Sequence, residues 1–285
     1  MEFIQACRDG NFELVRLLID NEDVNEWDGE AFRYAARGNH FEIVELLLNN
    51  NADIHSLDDE ALRWTSTYGH MEMVKLLLEA GSNVDARNDE SLNSAAGNGH
   101  LEIVRLLLEY GANVNSGNSR ALISAAENGH LEVVRVLLED GANVNSQNAA
   151  SLPYAVENGH LEVVRLLLEY GADIHVNNDD VILVSAENGG LEIVGLLDSG
   201  VDIHSNGDAV IRVGVNNRNI ELIQFLLSRG ADPNALPEDL QYLIPQTLEI
   251  SEYFGVEPQL TQIQEFPNRW VFSTSKTSKT YILPK

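Results

Sequence analysis

Histidine is the residue type in this sequence whose spacing first suggests chemistry, because five histidines recur at a fixed interval. They lie thirty residues apart, at His40, His70, His100, His130 and His160. Imidazole nitrogens are common zinc ligands, but they must lie about 2 Å from one shared ion. Equivalent positions in stacked helical units are separated by roughly 10 Å, about one helix-packing distance. The spacing therefore argues against a shared metal and predicts a structural role for each histidine.

The other residues capable of catalysis follow the same interval or stand alone. Three further histidines, His55, His175 and His204, occupy a turn position that holds Asn or Asp in other units. The single cysteine, Cys7, falls where a later unit has Ala36, which favours a buried thiol over a nucleophile. We find no glycine-rich phosphate loop, nucleophile elbow or acid pair outside the periodic positions. The sequence therefore predicts no catalytic residue, metal or cofactor, and a protein that is not an enzyme.

The thirty-residue interval belongs to a repeat of the whole sequence around these histidines. The stretch 101–130, LEIVRLLLEYGANVNSGNSRALISAAENGH, recurs with few changes at 131–160 and 161–190. Apolar residues crowd the helix that starts near Glu102, so it must be covered on more than one side. Gly111 is placed to end this helix, and a turn rich in Asn, Ser and Gly leads to a short helix at 121–128. A helix pair this small must stack on its neighbours to bury its apolar surface.

The repeated unit resembles a known family. The phrase NGHLEVVRLLLEYGADIH at 158–175 is similar to the second half of an ankyrin repeat, including its Gly-His turn and Gly-Ala-Asp close. The resemblance covers about residues 1–234. Ankyrin units usually have 33 residues and carry Thr-Pro-Leu-His, whereas this unit has 30 residues and lacks that motif. The missing residues predict finger loops shorter than the usual β-hairpins. Repeats of this short type resemble those abundant in large DNA viruses of amoebae.

The units and the resemblance together predict the architecture. The longer helices are expected to begin near Phe12, Phe41, Met71, Leu101, Leu131, Leu161, Leu191 and Ile220. The predicted fold class is all-α: an ankyrin-type solenoid of about eight stacked helix pairs with shortened finger loops over residues 1–234. Residues 235–285 are predicted to form a small C-terminal cap. Its first part, 235–262, favours one more helix pair, and 269–285 favours a β-hairpin around the Lys-Thr-Ser-Lys turn at 276–279.

Charge and hydropathy restrict the possible partners. The formal net charge is −27, but many acids recur at equivalent positions, which places them on outer faces. The predicted solenoid contains one lysine, Lys75, so we do not expect binding to nucleic acid. The chain has no apolar run long enough to span a bilayer and no secretory signal at its start. We expect a soluble monomer without membrane contact, located in the cytoplasm, or in the host cytoplasm if the chain is viral.

Departures from the repeat indicate where a partner would bind. The family resemblance implies that ligands meet the concave side, formed by the short helices and finger tips. Aromatic and arginine residues, the composition of binding hot spots, concentrate there in the second and third units. The predicted partner-binding residues are Arg33, Tyr34, Arg37, Arg63, Trp64, Tyr68 and, further along, Tyr154. The alternative is that Tyr34 and Trp64 only fill space between the short helices.

The predicted function is a non-catalytic protein–protein interaction scaffold that holds an unknown protein partner on its concave face. Two other functions remain open at this point. An acidic inhibitor or immunity-type protein would occlude a basic enzyme site, and its affinity would fall steeply with salt. An adaptor would deliver bound targets through the C-terminal segment, so deletion of residues 235–285 would abolish delivery and leave simple binding intact.

Overall fold

A computed structural model of the chain describes residues 1–175, 180–188, 190–197, 205–243, 260–266, 269–274 and 280–284. The chain divides into two compact units, Met1–Val176 and Asn177–Lys285. The boundary predicted from the sequence, after residue 234, lies inside the second of these units. The candidate binding residues all belong to the first unit.

The first unit is a stack of helix pairs. Its helices, in chain order, are α1 (Glu2–Asp9), α2 (Phe12–Leu18), α3 (Glu26–Arg37), α4 (Phe41–Asn49), α5 (Ser56–Tyr68), α6 (Met71–Glu79), α7 (Ala86–Gly97), α8 (Leu101–Glu109), α9 (Ser116–Glu127), α10 (Leu131–Glu139), α11 (Ser146–Ala149), α12 (Ser151–Glu157) and α13 (Leu161–Glu169). Helices α1, α3, α5, α7, α9 and α12 are the first helices of successive pairs, and each of the first five packs on the first helix of the next pair. The helix that follows each of them completes its pair. The all-α solenoid predicted from the repeat is confirmed.

The core runs along the stack because each helix type contributes the same buried positions in every pair. In the second helices, apolar residues such as Val104 and Leu107 are fully buried. In the first helices, small residues such as Ala95 and Ala96 are fully buried, which lets neighbouring helix backbones approach closely. Apolar burial is therefore shared between neighbours and does not form a single central core.

Left-handed turns replace the β-hairpin fingers between successive pairs. Backbone φ is positive at three consecutive residues in each of 27–29, 57–59, 87–89 and 117–119, and also at Gln147 and Ala149. A backbone hydrogen bond closes each turn, for example from the Asp59 N–H to the His55 carbonyl at 3.3 Å. Left-handed backbone costs about 1–2 kcal/mol for each residue with a Cβ atom. These turns therefore need support from side chains elsewhere in the stack.

One side-chain bridge joins each turn to the loop of the next pair. At Asn25, the side-chain oxygen accepts from the Asp53 N–H and the amide donates to the Asn51 carbonyl, at 2.6 and 3.0 Å. Asn115 and Asn145 make the same two bonds to their next pairs. The bridge ties consecutive repeats together at the finger.

At two turns where the position is not asparagine, a carboxylate four residues later makes the bridge. His55 is followed by Asp59, which accepts from the Asn83 N–H at 2.8 Å. Asp85 is followed by Asp89, which accepts from the Asn113 N–H, also at 2.8 Å. Two alternative positions therefore supply the same acceptor, so the exchange of His, Asp and Asn in this turn is structural.

Asp85, which lies beside the bridging Asp89, makes the stability of this turn depend on pH. Loss of solvation raises the pKa of Asp85, and the charge of Asp89 and a hydrogen bond between the two side chains raise it further. A raised pKa means that protonated Asp85 is favoured in the folded state. This contribution to stability is present at low pH and is lost as the pH rises through the folded-state pKa of Asp85.

Asp85→Asn is expected to stabilise the protein at pH 7 and to have a smaller effect at pH 4, where protonation of Asp85 already relieves part of the repulsion. The amide can donate to Asp89 without charge repulsion, and because Asp85 is exposed to solvent we expect a gain below about 1 kcal/mol. Urea unfolding at both pH values measures this, with Asp140→Asn as an exposed control of equal charge change. A gain that Asp140→Asn reproduces would assign the effect to net charge and not to the pair.

Three buried hydroxyl groups in the stack have no hydrogen-bond partner among the described residues, those of Ser66, Ser82 and Ser91. The side chains of Ser66 and Ser91 are fully buried. Alanine occupies the position of Ser66 in the neighbouring first helices, at Ala36 and Ala96. Burying an unpaired hydroxyl costs about 1–3 kcal/mol.

Ser66→Ala is therefore expected to raise the free energy of unfolding by about 1 kcal/mol. Thr65→Val is the matched control, because the Thr65 hydroxyl is equally buried but donates to the Ala61 carbonyl at 2.9 Å. We expect no gain from the control. Urea unfolding of both variants tests this, and destabilisation by Ser66→Ala would contradict it.

The second unit contains two helix pairs and a small sheet. Its helices are α14 (Asp180–Glu187), α15 (Leu191–Leu197), α16 (Ser205–Asn216) and α17 (Ile220–Ser228), followed by 3-10 turns at Pro233–Ala235 and Glu238–Leu243. Strands β1 (Leu260–Phe266), β2 (Arg269–Thr274) and β3 (Thr280–Pro284) pair antiparallel in the order β1-β2-β3. Ile263 lies opposite Phe272, and Phe272 lies opposite Tyr281.

The helical cap predicted for 235–262 is wrong at its end, because β1 begins at Leu260. The apolar residues Leu260, Ile263 and Phe266 are three apart, which is a spacing typical of a helix. This segment nevertheless forms a strand, because it pairs with β2. Residues 244–259 of the predicted helical cap lie outside the described residues. Strands β2 and β3 occupy the position of the predicted hairpin, whose turn at 275–279 also lies outside them.

Candidate partner-binding surface

Aromatic and arginine side chains from three successive first helices form one continuous row in the first unit. The Arg8 guanidinium lies 4.0 Å from the ring centroid of Tyr34, whose ring is 5.9 Å from that of Trp64. The Arg37 guanidinium lies 5.0 Å from the Trp64 ring and 5.5 Å from the Tyr68 ring. We call these five side chains, Arg8, Tyr34, Arg37, Trp64 and Tyr68, the cation–aromatic cluster.

The repeat explains why these residues meet. Tyr34 and Trp64 are thirty residues apart, so they occupy equivalent positions on adjacent helices α3 and α5. Arg37 and Tyr68 follow them by three and four residues, on the same helix face. Each guanidinium of the cluster lies over a ring of the next pair. A contact of this kind is worth about 0.5–1 kcal/mol at an exposed site.

The cluster is partly open to solvent. Tyr34 and Trp64 are half-buried, Arg37 is exposed, and Tyr68 is 48% exposed. The rings of Tyr34 and Trp64 thus pack between first helices while keeping part of their surface accessible. Packing between the short helices, the alternative considered from the sequence, therefore leaves part of each ring exposed.

The two exposed arginines of the cluster differ in their electrostatic partners. Arg8 forms an ion pair with Glu30 at 3.1 Å. Arg37 has no acidic partner among the described residues, and its one hydrogen bond is donated by Nη2 to the Tyr68 hydroxyl at 3.1 Å. Arg37 is therefore a cation held between two rings without a counter-charge, in a chain of 45 acidic and 18 basic residues.

The structure places Arg33 and Arg63 beneath the surface, with exposed fractions of 8% and 4%. Arg63 donates to the carbonyls of Asp58 and Leu57 at 3.1 and 2.9 Å, and pairs with Glu90 at 2.9 Å. Arg33 makes the equivalent contacts in the preceding turn, to the Asp28 and Trp27 carbonyls and to Glu60. These two arginines support the left-handed turns and connect consecutive pairs, so their donors are already engaged.

Tyr154 is exposed but lies apart from the cluster. It belongs to α12, and helices α7 and α9 stand between α12 and α5 in the stack. The equivalent positions on those two helices are Ser94 and Ser124. The structure thus brings together Tyr34, Arg37, Trp64 and Tyr68 of the predicted residues, and adds Arg8.

The sequence interpretation missed two exposed apolar residues at the turn tips. Trp27 is 65% exposed and Leu57 is 45% exposed, with φ values of 55° and 50°. Bulky residues rarely adopt this backbone conformation. A signal was present, because the same turn position holds polar Arg87 and Gln147 in later units.

The recurring histidines each bond to the preceding repeat. The ring Nε2–H of His40 donates to the Arg8 carbonyl at 3.0 Å. The same bond recurs at 3.1 or 3.2 Å for His70, His100, His130 and His160. Their predicted structural role is confirmed, and no group of three potential metal-ligating side chains forms among residues that the structure describes. His204 lies outside those residues.

Cys7 is fully buried in α1. Burial raises the pKa of its thiol from 9.0 to about 12, so the thiol stays protonated at neutral pH. The thiolate is the nucleophilic form of cysteine, which agrees with the structural role predicted for this residue.

Comparison with known families supports the assignment of the fold. The sequence profile of the family described as ankyrin repeats (3 copies) matches residues 3–58, 56–118, 115–178 and 152–236. Because these matches span most of the chain, the protein belongs to the ankyrin repeat family. Ankyrin repeats are generally protein–protein interaction modules and typically non-catalytic scaffolds. A search of curated proteins found no match. In the described part of the chain, no helix is both long and apolar enough to cross a membrane.

Proposed function

We propose that this protein is a non-catalytic scaffold that binds a partner protein through the cation–aromatic cluster. The observation that supports this proposal is the row of partly open rings and guanidinium groups across α1, α3 and α5. Tyrosine, tryptophan and arginine dominate binding hot spots in protein interfaces. Membership of the ankyrin repeat family favours a protein as the ligand. The surface is the face of the first helices, the concave face in the family.

The packing of the cluster favours tight binding. The Trp64 ring is held by contacts with Tyr34 and Arg37, and the helix that carries it is anchored by the buried Arg63. A side chain that is already ordered loses less conformational freedom on binding. The partner therefore meets a preformed surface.

The partner we propose is a host protein in the cytoplasm, and the scaffold acts as a monomer. The similarity of the 30-residue repeats to those of large DNA viruses of amoebae supports the host partner. The same scaffold would bind an endogenous protein if the chain is cellular.

The test is capture of a protein from cell lysate by the full chain and by a Tyr34→Ala, Trp64→Ala double variant. Removing two hot-spot rings is expected to weaken binding about 100-fold or more. Tyr110→Ala, Tyr170→Ala is the matched control, because these tyrosines are also exposed but end the second helices α8 and α13. Equal capture by all three proteins, with unchanged unfolding curves, would contradict the proposal.

The net charge of −27 favours a second candidate function, inhibition of an enzyme with a basic active site. Attraction by net charge is screened by salt. Under that function, affinity for the captured protein would fall steeply as salt is raised, and loss of the two rings would matter little.

A further inference from the structure

We infer that Arg37 is a carboxylate-binding position and that the partner docks an acidic segment with apolar or aromatic neighbours on the cation–aromatic cluster. This inference rests on the proposed function, since it specifies the chemistry of the occupant of the same surface.

The Arg37 guanidinium has most of its hydrogen-bonding capacity free. Of its five N–H groups, one donates to the Tyr68 hydroxyl, and the others have no partner among the residues that the structure describes. A carboxylate accepts two parallel hydrogen bonds from such a fork. The geometry required for a bidentate contact is therefore available at Arg37.

The glutamates at the start of the neighbouring first helices pair with arginines other than Arg37. Glu30 pairs with Arg8, Glu60 pairs with Arg33, and Glu90 pairs with Arg63. Each of these three carboxylates is thus engaged by another arginine. We therefore expect a binding partner to supply the counter-charge for Arg37.

The rings on both sides of Arg37 fix its position. Arg16, Arg105 and Arg120, other arginines of the first unit, also have no ion pair within the described part of the chain, but there they make no cation–π contact either. Arg37 lies against both Trp64 and Tyr68 and is bonded to the latter. A guanidinium ordered in this way loses little freedom when a carboxylate binds.

The open parts of the rings define what should flank the carboxylate. Tyr34 and Trp64 are half-buried and Tyr68 is 48% exposed, so apolar side chains beside the acid would cover aromatic surface. Long-range repulsion from a chain of net charge −27 opposes an acidic segment, and salt screens that repulsion. Affinity for such a segment should therefore show no steep loss with salt.

The test is selection of random 12-residue peptides, displayed on phage, against the immobilised full chain. We expect enrichment of Asp or Glu beside aromatic or aliphatic residues. For a synthetic copy of an enriched peptide, Arg37→Gln should weaken binding about 10- to 100-fold, and Asp→Asn or Glu→Gln in the peptide should do the same. Arg105→Gln, an exposed arginine without a ring contact, is the matched control.

The outcomes separate this inference from the proposed function. If the selected peptides contain no acids but bind the Tyr34→Ala, Trp64→Ala variant more weakly than the native chain, the carboxylate-binding role of Arg37 is overturned. The proposed binding surface would then still stand. Peptides that bind both Arg37→Gln and the double ring variant as well as the native chain would overturn both. Loss with Arg37→Gln but not with Arg105→Gln, together with loss on removal of the peptide acid, would support the inference.

Discussion

Gly99→Ala is expected to lower the free energy of unfolding by about 2–4 kcal/mol. Gly99 has φ +75°, and a Cβ atom there would lie 2.6 Å from Nδ1 and 2.7 Å from Cε1 of His130. The His130 ring is held in place by its bond to the Gly97 carbonyl at 3.1 Å. It cannot move aside without losing that bond, so the backbone cost and the steric cost add.

Gly159→Ala is the matched control for this prediction. Gly159 occupies the equivalent turn with φ +73°, but nothing lies within 4 Å of a Cβ atom there. Only the backbone cost, about 1 kcal/mol, is expected from it. Urea unfolding compares the two, and the Gly99→Ala, His130→Ala double variant should show non-additive losses. Equal losses from Gly99→Ala and Gly159→Ala would show that the ring contact contributes nothing.

The sequence predicted the repeated parts of the fold well because their signals are local and recur. The second helices begin at the predicted residues, such as Phe41, Leu101 and Ile220. Apolar periodicity and a glycine that ends the helix are enough to locate such an element. The structural role of the five recurring histidines could be predicted because their spacing argues against one shared ion, and each bonds to the preceding repeat.

The left-handed turns could not be predicted, because their cause lies in other repeats. Asp58 and Asn88 are of types that tolerate positive φ, but Trp27 and Leu57 are not. The Asn or Asp bridges that hold these turns join residues 24 to 28 positions apart. The buried arginines bond to turn carbonyls of their own repeat and pair with glutamates 27 residues away in the next. Propensity within the turn alone would have favoured an ordinary loop.

The left-handed turns also explain why the sequence predicted only some of the residues of the candidate site correctly. Arg33 and Arg37 are one helical turn apart and identical in type, so nothing local separates a buried cross-link from an exposed cation. The distinction arises because Arg33 points its donors to the carbonyls of the left-handed turn. Arg8 was overlooked since it comes from the first pair, where the repeat is incomplete at its start.

Arg63→Ala is expected to destabilise the first unit by about 3 kcal/mol. The variant removes hydrogen bonds to the Asp58 and Leu57 carbonyls and the ion pair with Glu90. The Glu90 side chain is 43% exposed, so water can solvate the carboxylate that remains. Most of the loss should therefore come from the unsupported left-handed turn and from the space left by a side chain that is only 5% exposed.

Arg63→Asn distinguishes turn support from loss of the ion pair. In the next unit, Asn93 holds the equivalent position and donates to the Asn88 carbonyl at 3.1 Å, so one amide maintains that turn without a charge. Arg63→Asn should therefore cost less than Arg63→Ala, and Arg105→Ala, an exposed arginine, less than about 0.5 kcal/mol. If Arg63→Asn and Arg63→Ala lower the free energy of unfolding by the same amount, the hydrogen bonds to the turn carbonyls do not stabilise the turn. The pair with Glu90 and the packing of the side chain would then account for the effect of Arg63.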